Sequence, residues 1–237
     1  MREEGLKRLS DFKLNALDQH YIVNYFLFND IKHTASEFAF GKTLDIGCGN
    51  KPYQSLFNTK VTEYIGCDII QSDQNLVDII CPATALSFEN GVFDTVFSTQ
   101  VIEHVEDHRA MLAEAARVLK QNGVAIFTMP FCWALHEEPY DFFRFSKYGI
   151  KFLFEKYGFD MVLIKANGGK WATVAQLFLN TLFSSRKYRT WRSFLVKHFF
   201  VTLRFIWIYN KFSVWLDKRY SDEELTLNYI VVARKKS

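Results

Sequence analysis

A chain of 237 residues, 49% apolar and 23% charged, is long enough to bury a substantial core and has the balance of a globular rather than a disordered protein. Four cysteines, Cys48, Cys67, Cys81 and Cys132, stand far apart with no Cys-x-x-Cys pair, which argues against a disulfide framework or zinc site and for a reducing compartment. The net charge of +3 conceals a segment, 186–219, with nine Lys or Arg against one acid, so the remainder carries a net −5.

The N-terminus MREEGLKRLSDFKLNALDQHY is too charged for a signal peptide. No stretch of about 18 residues is free of charge, so a spanning helix is not expected and the chain reads as cytoplasmic.

The first forty residues read as a helical segment, with apolar positions at Leu6, Leu9, Leu14, Leu17, Ile22 and Ile31. Strands and helices then alternate. Residues 43–46 form a short strand running into a glycine-rich turn, with a helix expected near Pro52. Further strands are expected over 63–67, ending in Asp68, then over 76–81 and 92–98. Residues 107–121 make an amphipathic helix with Met111, Leu112, Ala115, Val118 and Leu119 on one face. Asn122-Gly123 stops it and opens a strand over 124–129. Ser146 caps a helix to Tyr157, which Gly158 ends. The last strands are 159–165 and 225–233. This alternation predicts a parallel α/β sheet with helices on both faces and ligands at the strands' carboxyl ends. The core is expected over 41–166 and 225–237, with 167–224 inserted.

Leu44-Asp45-Ile46-Gly47-Cys48-Gly49-Asn50 takes an apolar strand straight into Gly-x-Gly. Glycines there let the backbone turn tightly and approach a ligand closely. Asp68 follows Gly49 by 19 residues at the end of the next strand, where a carboxylate can accept both hydroxyls of a ribose. The third glycine of a dinucleotide fingerprint is missing, Pro52 standing in its place, so a cofactor without a pyrophosphate fits better. The plainer alternative is a tight strand–helix turn with no ligand.

Together DIGCGN, Asp68, ALSFENGVFDTV, QVIEHVED and RVLKQNGVAIFTMP resemble the class I S-adenosylmethionine-dependent methyltransferases, and closely resemble the subgroup named methyltransferase type 11. The likeness spans roughly 42–165 and the last strand. It implies a Rossmann-like seven-stranded sheet and S-adenosyl-L-methionine as cofactor. Asp45, Gly47 and Gly49 would line the methionine end, Asp68 would bind the ribose, and Ser98, Thr99 and Gln100 would approach the sulfonium. Ile69, Ala83 and Thr84 complete the implied cofactor set. One departure stands out: Pro82 occupies the place where the family usually has an acid for the adenine amino group.

The stretch 129–146 follows the fifth strand and mixes aromatics with His136, Glu137, Glu138, Asp141 and Arg144. His136 is the candidate base, since imidazole titrates near neutrality, with Asp141 or Glu137 to orient it. The alternative is that these residues cap the next helix and pair with Arg144. His104, in the EHV motif, reads as a family position or as purely structural. His136-Glu137-Glu138 lacks the second His of His-Glu-x-x-His, so no metal is expected.

The insertion is too long for a structureless loop. Residues 171–183 can form one helix and 189–219 a longer one. Lys197, Arg204, Lys211 and Lys218 recur every seven residues as a cation stripe beside Phe199, Phe200, Trp207 and Trp215. That pattern suits an anionic membrane surface; the alternatives are packing over the sheet or against a second subunit as a homo-oligomer. The large aliphatic area argues against nucleic acid. The functional reading is methyl transfer to a small molecule or a glycan, including a lipid-linked one by analogy. The competing readings are a cofactor-binding scaffold without turnover and a peripheral membrane module.

Overall fold

The computed structural model describes residues 13–57, 60–184, 198 and 204–236. Its strands are β1 (Gly41–Ile46), β2 (Val61–Asp68), β3 (Ile79–Ile80), β4 (Phe93–Thr99), β5 (Leu119–Pro130), β6 (Phe159–Asn167) and β7 (Asn228–Lys235). They form one sheet of order β3-β2-β1-β4-β5-β7-β6, the Rossmann-like arrangement expected. The helices are α1 (Tyr21–Phe38), α2 (His108–Val118), α3 (Lys147–Lys156), α4 (Lys170–Ser184) and α5 (Phe205–Arg219). Strand β1 pairs in parallel with both β2 and β4, so strand order reverses there and a crevice opens at the carboxyl end of β1. In the centre of the sheet Phe93, Val96, Phe97, Ile126 and Phe127 are all buried, the near-continuous apolar pattern of strands covered on both faces.

Three expectations are corrected. The helix near Pro52 is a single 3-10 turn, Gln54–Leu56. Tyr53 and Phe57 bring their rings to 6.1 and 5.1 Å from Phe97, so aromatic side chains pack on β4 there. Helix α2 ends at Val118, because Leu119 already pairs with Phe93 and Asn122, at φ 62°, takes its turn inside the strand. Strand β3 is only two residues long. Before it the chain is held by side chains: Gln71 bonds both the N–H and the carbonyl of Val77, and Asp78 accepts from Gly66 N–H.

The chain divides into two compact units. One comprises Asp30–Lys165 and the residues from Tyr229 onward; the other comprises Lys13–Asn29 and the described part of Ala166–Asn228. In the second unit α5 begins at Phe205, with Arg204 left-handed at φ 54°. A right-handed helix cannot run through that residue, so the long helix expected over 189–219 is not continuous; its residues before Arg204 lie outside those described, except His198.

Both helices of this unit bury polar side chains alongside apolar ones, Ile206 and Val214 on α5 and Ala172, Ala175 and Leu179 on α4. Helix α5 buries Asn210, Ser213 and Asp217 and exposes Phe205, Ile208, Phe212 and Trp215. Helix α4 buries Thr173, Gln176 and Asn180 and exposes Trp171, Val174 and Phe178. Buried polar groups need partners, and several here find them, although Asn210 Oδ1 has none among the described residues. Asp217 accepts from the Gly169 and Ala172 N–H groups at the start of α4, both at 2.9 Å. Asn210 donates to the carbonyls of Ala16 and Asp18. The expected cation stripe is also redirected, since Lys211 donates to the Tyr21 hydroxyl at 2.9 Å and Lys218 to that of Tyr25.

Candidate active site

At the end of β1, Gly47 turns the chain at φ 76°, and a Cβ there would lie 2.4 Å from Val101 Cγ2. The Gly47 and Cys48 N–H groups both donate to the Cys67 carbonyl, which locks the turn to β2. Asp68, at the end of β2, accepts from Gly49 N–H at 3.1 Å and from its neighbour Ile69 N–H at 2.7 Å. The glycine motif and the acid are thus two halves of one construction: the turn donates to the carboxylate and sets its orientation.

Beneath the turn Asp45 is buried. Tyr64 donates to its Oδ2 at 2.7 Å, and Oδ1 has no hydrogen-bond partner among the described residues. Burial, which disfavours the charged form, pushes the Asp45 carboxyl up to about 7.

Beyond these residues lies a cleft of about 1420 Å³, larger than the roughly 300–1,000 Å³ of a typical small-molecule site. Gly47, Asp68 and Ile69 line it on one side, Ala83 and Thr84 on another, and Thr99 and Gln100 at the end of β4. Asp45, Gly49 and Ser98 do not reach that lining; Ser98 Oγ instead donates to the Ile46 carbonyl at 2.9 Å, fastening β4 to β1. Gln100, left-handed at φ 54°, bonds Thr128 through both its backbone N–H and its Nε2. Pro82, which replaces the usual acid, is on the cleft wall beside Cys81. That wall is braced from α2: Glu114 accepts from Leu86 N–H, and Arg117 donates to the carbonyls of Leu86 and Phe88.

The opposite wall comes from the loop after β5 and from the 3-10 turn Ile102–His104. Arg144 donates to both oxygens of Asp141, at 2.6 and 2.7 Å, and holds that carboxyl down to about 2. Asp141 also accepts from His136 N–H at 3.0 Å, so it organises the loop as much as it orients the imidazole. Neither residue lines the cleft; Glu137, Tyr140, Phe142 and His104 do. His104, whose Nδ1 is 2.8 Å from the Tyr140 carbonyl, packs edge-on to His136 with centroids 4.7 Å apart. Beside it the Glu103 side chain is fully buried, and burial raises its carboxyl to about 8. Glu103 and His104 were legible in the sequence only as the EH of QVIEHVED.

Residues 44–127 match the family model described as methyltransferase domain. Over 88 residues the chain is 32% identical to an uncharacterized protein of Methanocaldococcus jannaschii, covering 36% of this chain and 43% of that one; the chain thus spans less than half the length of this curated relative. Among solved structures, a SAM dependent methyltransferase from Archaeoglobus fulgidus superposes with a TM-score of 0.57 at 18% identity, over 89% of this chain and 94% of that one. A Haemonchus contortus phosphoethanolamine N-methyltransferase 2 in complex with S-adenosyl-L-methionine gives 0.52 at 16% identity, over 98% and 61%. The [4+2]-cyclase SpnF gives 0.56 at 13% identity, over 90% and 81%. At these identities the structural likeness is one of fold, and the fold serves more than one chemistry.

Proposed function

We propose that the chain, whose residues 44–127 match the methyltransferase domain model, is a class I S-adenosylmethionine-dependent methyltransferase that transfers a methyl group from S-adenosyl-L-methionine to a small-molecule or glycan acceptor. The single observation that carries this reading is Asp68, oriented by the N–H of Gly49 at the mouth of the cleft. A carboxylate held in that way suits a ribose diol. Asp45, buried below the turn, has an Oδ1 without a hydrogen-bond partner among the described residues, and the family resemblance assigns it to the methionine end.

Methyl transfer from a sulfonium needs donor and acceptor in line and in contact, and an acceptor hydroxyl or amine must lose its proton. In this reading the His104 imidazole, on the cleft wall, sits on the acceptor side, and His136, oriented by Asp141, packs edge-on against it. A glycan is favoured by the wall itself. Phe142 and Phe143 provide ring faces, and Glu137, Glu106 and Asp107 provide acceptors for hydroxyls.

The test is calorimetric titration with S-adenosylmethionine and S-adenosylhomocysteine, alongside Asp68→Ala. Micromolar binding that weakens at least about tenfold in the mutant, equivalent to about 1.4 kcal/mol, supports the reading. A folded wild type that binds neither molecule overturns it.

The aromatic side chains exposed on α4 and α5 favour a second role for the other unit, attachment to an anionic lipid surface. Trp171, Phe178, Phe212 and Trp215 are exposed, and the 186–219 segment carries the chain's excess positive charge, the composition of an interfacial element. Among the described residues no helix is long and apolar enough to cross a membrane. Flotation with vesicles containing phosphatidylglycerol should carry the protein upward, and Phe212→Ser with Trp215→Ser should reduce it. Wild type that stays at the bottom of the gradient removes this role.

A further inference from the structure

Glu103 has an unusual environment. Its side chain is completely shielded from solvent, yet neither carboxylate oxygen has a hydrogen-bond partner among the described residues. A buried carboxylate without donors is costly, and the cost is relieved when a cation takes the place of the missing donors. Two imidazoles face it. His104 brings Nε2 to 3.8 Å from Glu103 Oε1, and the atoms that Glu103, His104 and His136 can offer as ligands all lie within 4.8 Å of one another.

Each imidazole is oriented from its other side by an oxygen acceptor. His104 Nδ1 is 2.8 Å from the Tyr140 carbonyl. His136 Nδ1 is 3.2 Å from Asp141 Oδ2 and 3.3 Å from the Ala134 carbonyl. An acceptor at Nδ1 favours the proton there and the lone pair at Nε2; at His136 the Arg144 Nη2 donor, 3.5 Å from Nδ1, is the one group that opposes this among the described residues. A carboxylate or carbonyl behind a histidine is also the usual support of a histidine that binds a metal, fixing its tautomer and raising its basicity.

The local charge agrees. The Glu103 carboxyl feels Asp141 and Glu137 as well as the guanidinium of Arg144. Three carboxyl groups face one fixed cation, and that cation is already bound by both oxygens of Asp141.

We propose that Glu103, His104 and His136 form a binding site for a divalent transition-metal ion on the acceptor wall of the cleft. Two imidazoles and one carboxylate are the donor set of zinc-, cobalt- or iron(II)-type ions. Ligand bonds of about 2.0–2.2 Å place neighbouring donors about 3.3 Å apart, so the three side chains need to close by about 1.5 Å at most. Three protein ligands leave a coordination position open, and His104 lines the cleft, so an oxygen of the acceptor can fill it. The sequence conceals this set because His136 stands 32 residues after His104, outside any short metal motif. Ion binding is read without cofactor or turnover, so it stands or falls separately from methyl transfer.

The experiment uses the full chain, freed of metal with a chelator and desalted, and titrated by calorimetry with zinc and with cobalt(II). Visible absorption of the cobalt form reports the ligands. The expected result is one ion per chain, with affinity weakened at least about tenfold in His136→Ala and in Glu103→Gln, and about 10–100-fold in Asp141→Asn, which removes the charge behind His136 and weakens the Arg144 pair that holds its loop. His136 lies in a half-exposed loop, so His136→Ala decides the matter even where Glu103→Gln fails to fold. His33→Ala, an exposed histidine on α1, should bind as wild type does. A folded wild type with no saturable ion binding, binding unchanged in His136→Ala, or a cobalt spectrum dominated by thiolate charge transfer overturns the proposal.

Discussion

The Tyr64 hydroxyl donates to Asp45 Oδ2 across 2.7 Å, from β2 to β1, and among the described residues it is the hydrogen bond that the Asp45 side chain makes below the glycine turn. With Oδ1 unpartnered and the side chain buried, the carboxyl titrates at about 7, well above its ordinary value of about 3.9. In the ligand-free protein the protonated form is favoured, so this group's contribution to stability is full below about pH 4 and is lost as pH rises through about 7. An ammonium group from the cofactor reverses the preference. Affinity for S-adenosylhomocysteine should therefore tighten between pH 6 and 8, by up to about tenfold per pH unit, and Asp45→Asn should flatten the dependence. A wild-type affinity that does not change over that range places the ammonium elsewhere.

Gly47 combines a positive φ of 76° with a Cβ position 2.4 Å from Val101 Cγ2. Gly47→Ala should cost about 1–3 kcal/mol from the backbone alone, and more from the clash. Gly158→Ala has a similar φ, 87°, with nothing within 4 Å, so it carries the backbone strain by itself. Thermal unfolding should place Gly47→Ala below Gly158→Ala, and only Gly47→Ala should impair cofactor binding. Equal losses in both would mean that Val101 simply moves aside.

Arg117 bridges α2 to the loop before β4, donating to Glu114, to the Leu86 and Phe88 carbonyls and to Asn90 Oδ1. Arg117→Ala should cost about 2 kcal/mol, since hydrogen bonds to charged groups contribute about 1.5–3 kcal/mol and this side chain is partly exposed. Because the braced segment continues into Cys81–Thr84 on the cleft wall, KM for the cofactor should rise while kcat holds. Denaturant melts and initial-rate kinetics check the two parts separately.

Asp217 caps α4 from another helix by accepting from Gly169 and Ala172 N–H. Asp217→Ala leaves two N–H groups without their acceptor and should cost about 1–2 kcal/mol. Hydrogen exchange should accelerate in the first turn of α4 and leave β4 and β5 unchanged. A uniform change across the chain would mean that the two compact units unfold together.

The alternation of apolar strands with amphipathic helices, the glycine turn after 43–46 and the acid at position 68 were legible in the residues themselves. Each follows from a local rule: backbone freedom at glycine, the 3.6-residue period of α2, and a strand ending in a carboxylate. The direction in which α5 faces was not. Its sequence has an apolar side and a cation stripe, and local periodicity would bury the apolar side. Three long-range contacts decide otherwise: Asp217 to the start of α4, Asn210 to the carbonyls at 16 and 18, and Lys211 to Tyr21. These polar bonds bury Asn210 and Asp217 beside Ile206 and Val214 and leave Phe212 and Trp215 outside.

The acceptor wall divides in the same way. Sequence marked His136 and Asp141, because their loop follows a strand at the sheet's binding edge, but the tertiary fold brings Glu103 and His104 up against them. Hydrogen bonds from Phe142 and Phe143 N–H to the Glu103 carbonyl lay that loop across the 3-10 turn. Spacing along a chain registers neighbours within a turn or a strand. It cannot register a meeting between residues 103 and 136, which depends on how β5 and its loop pack over the turn.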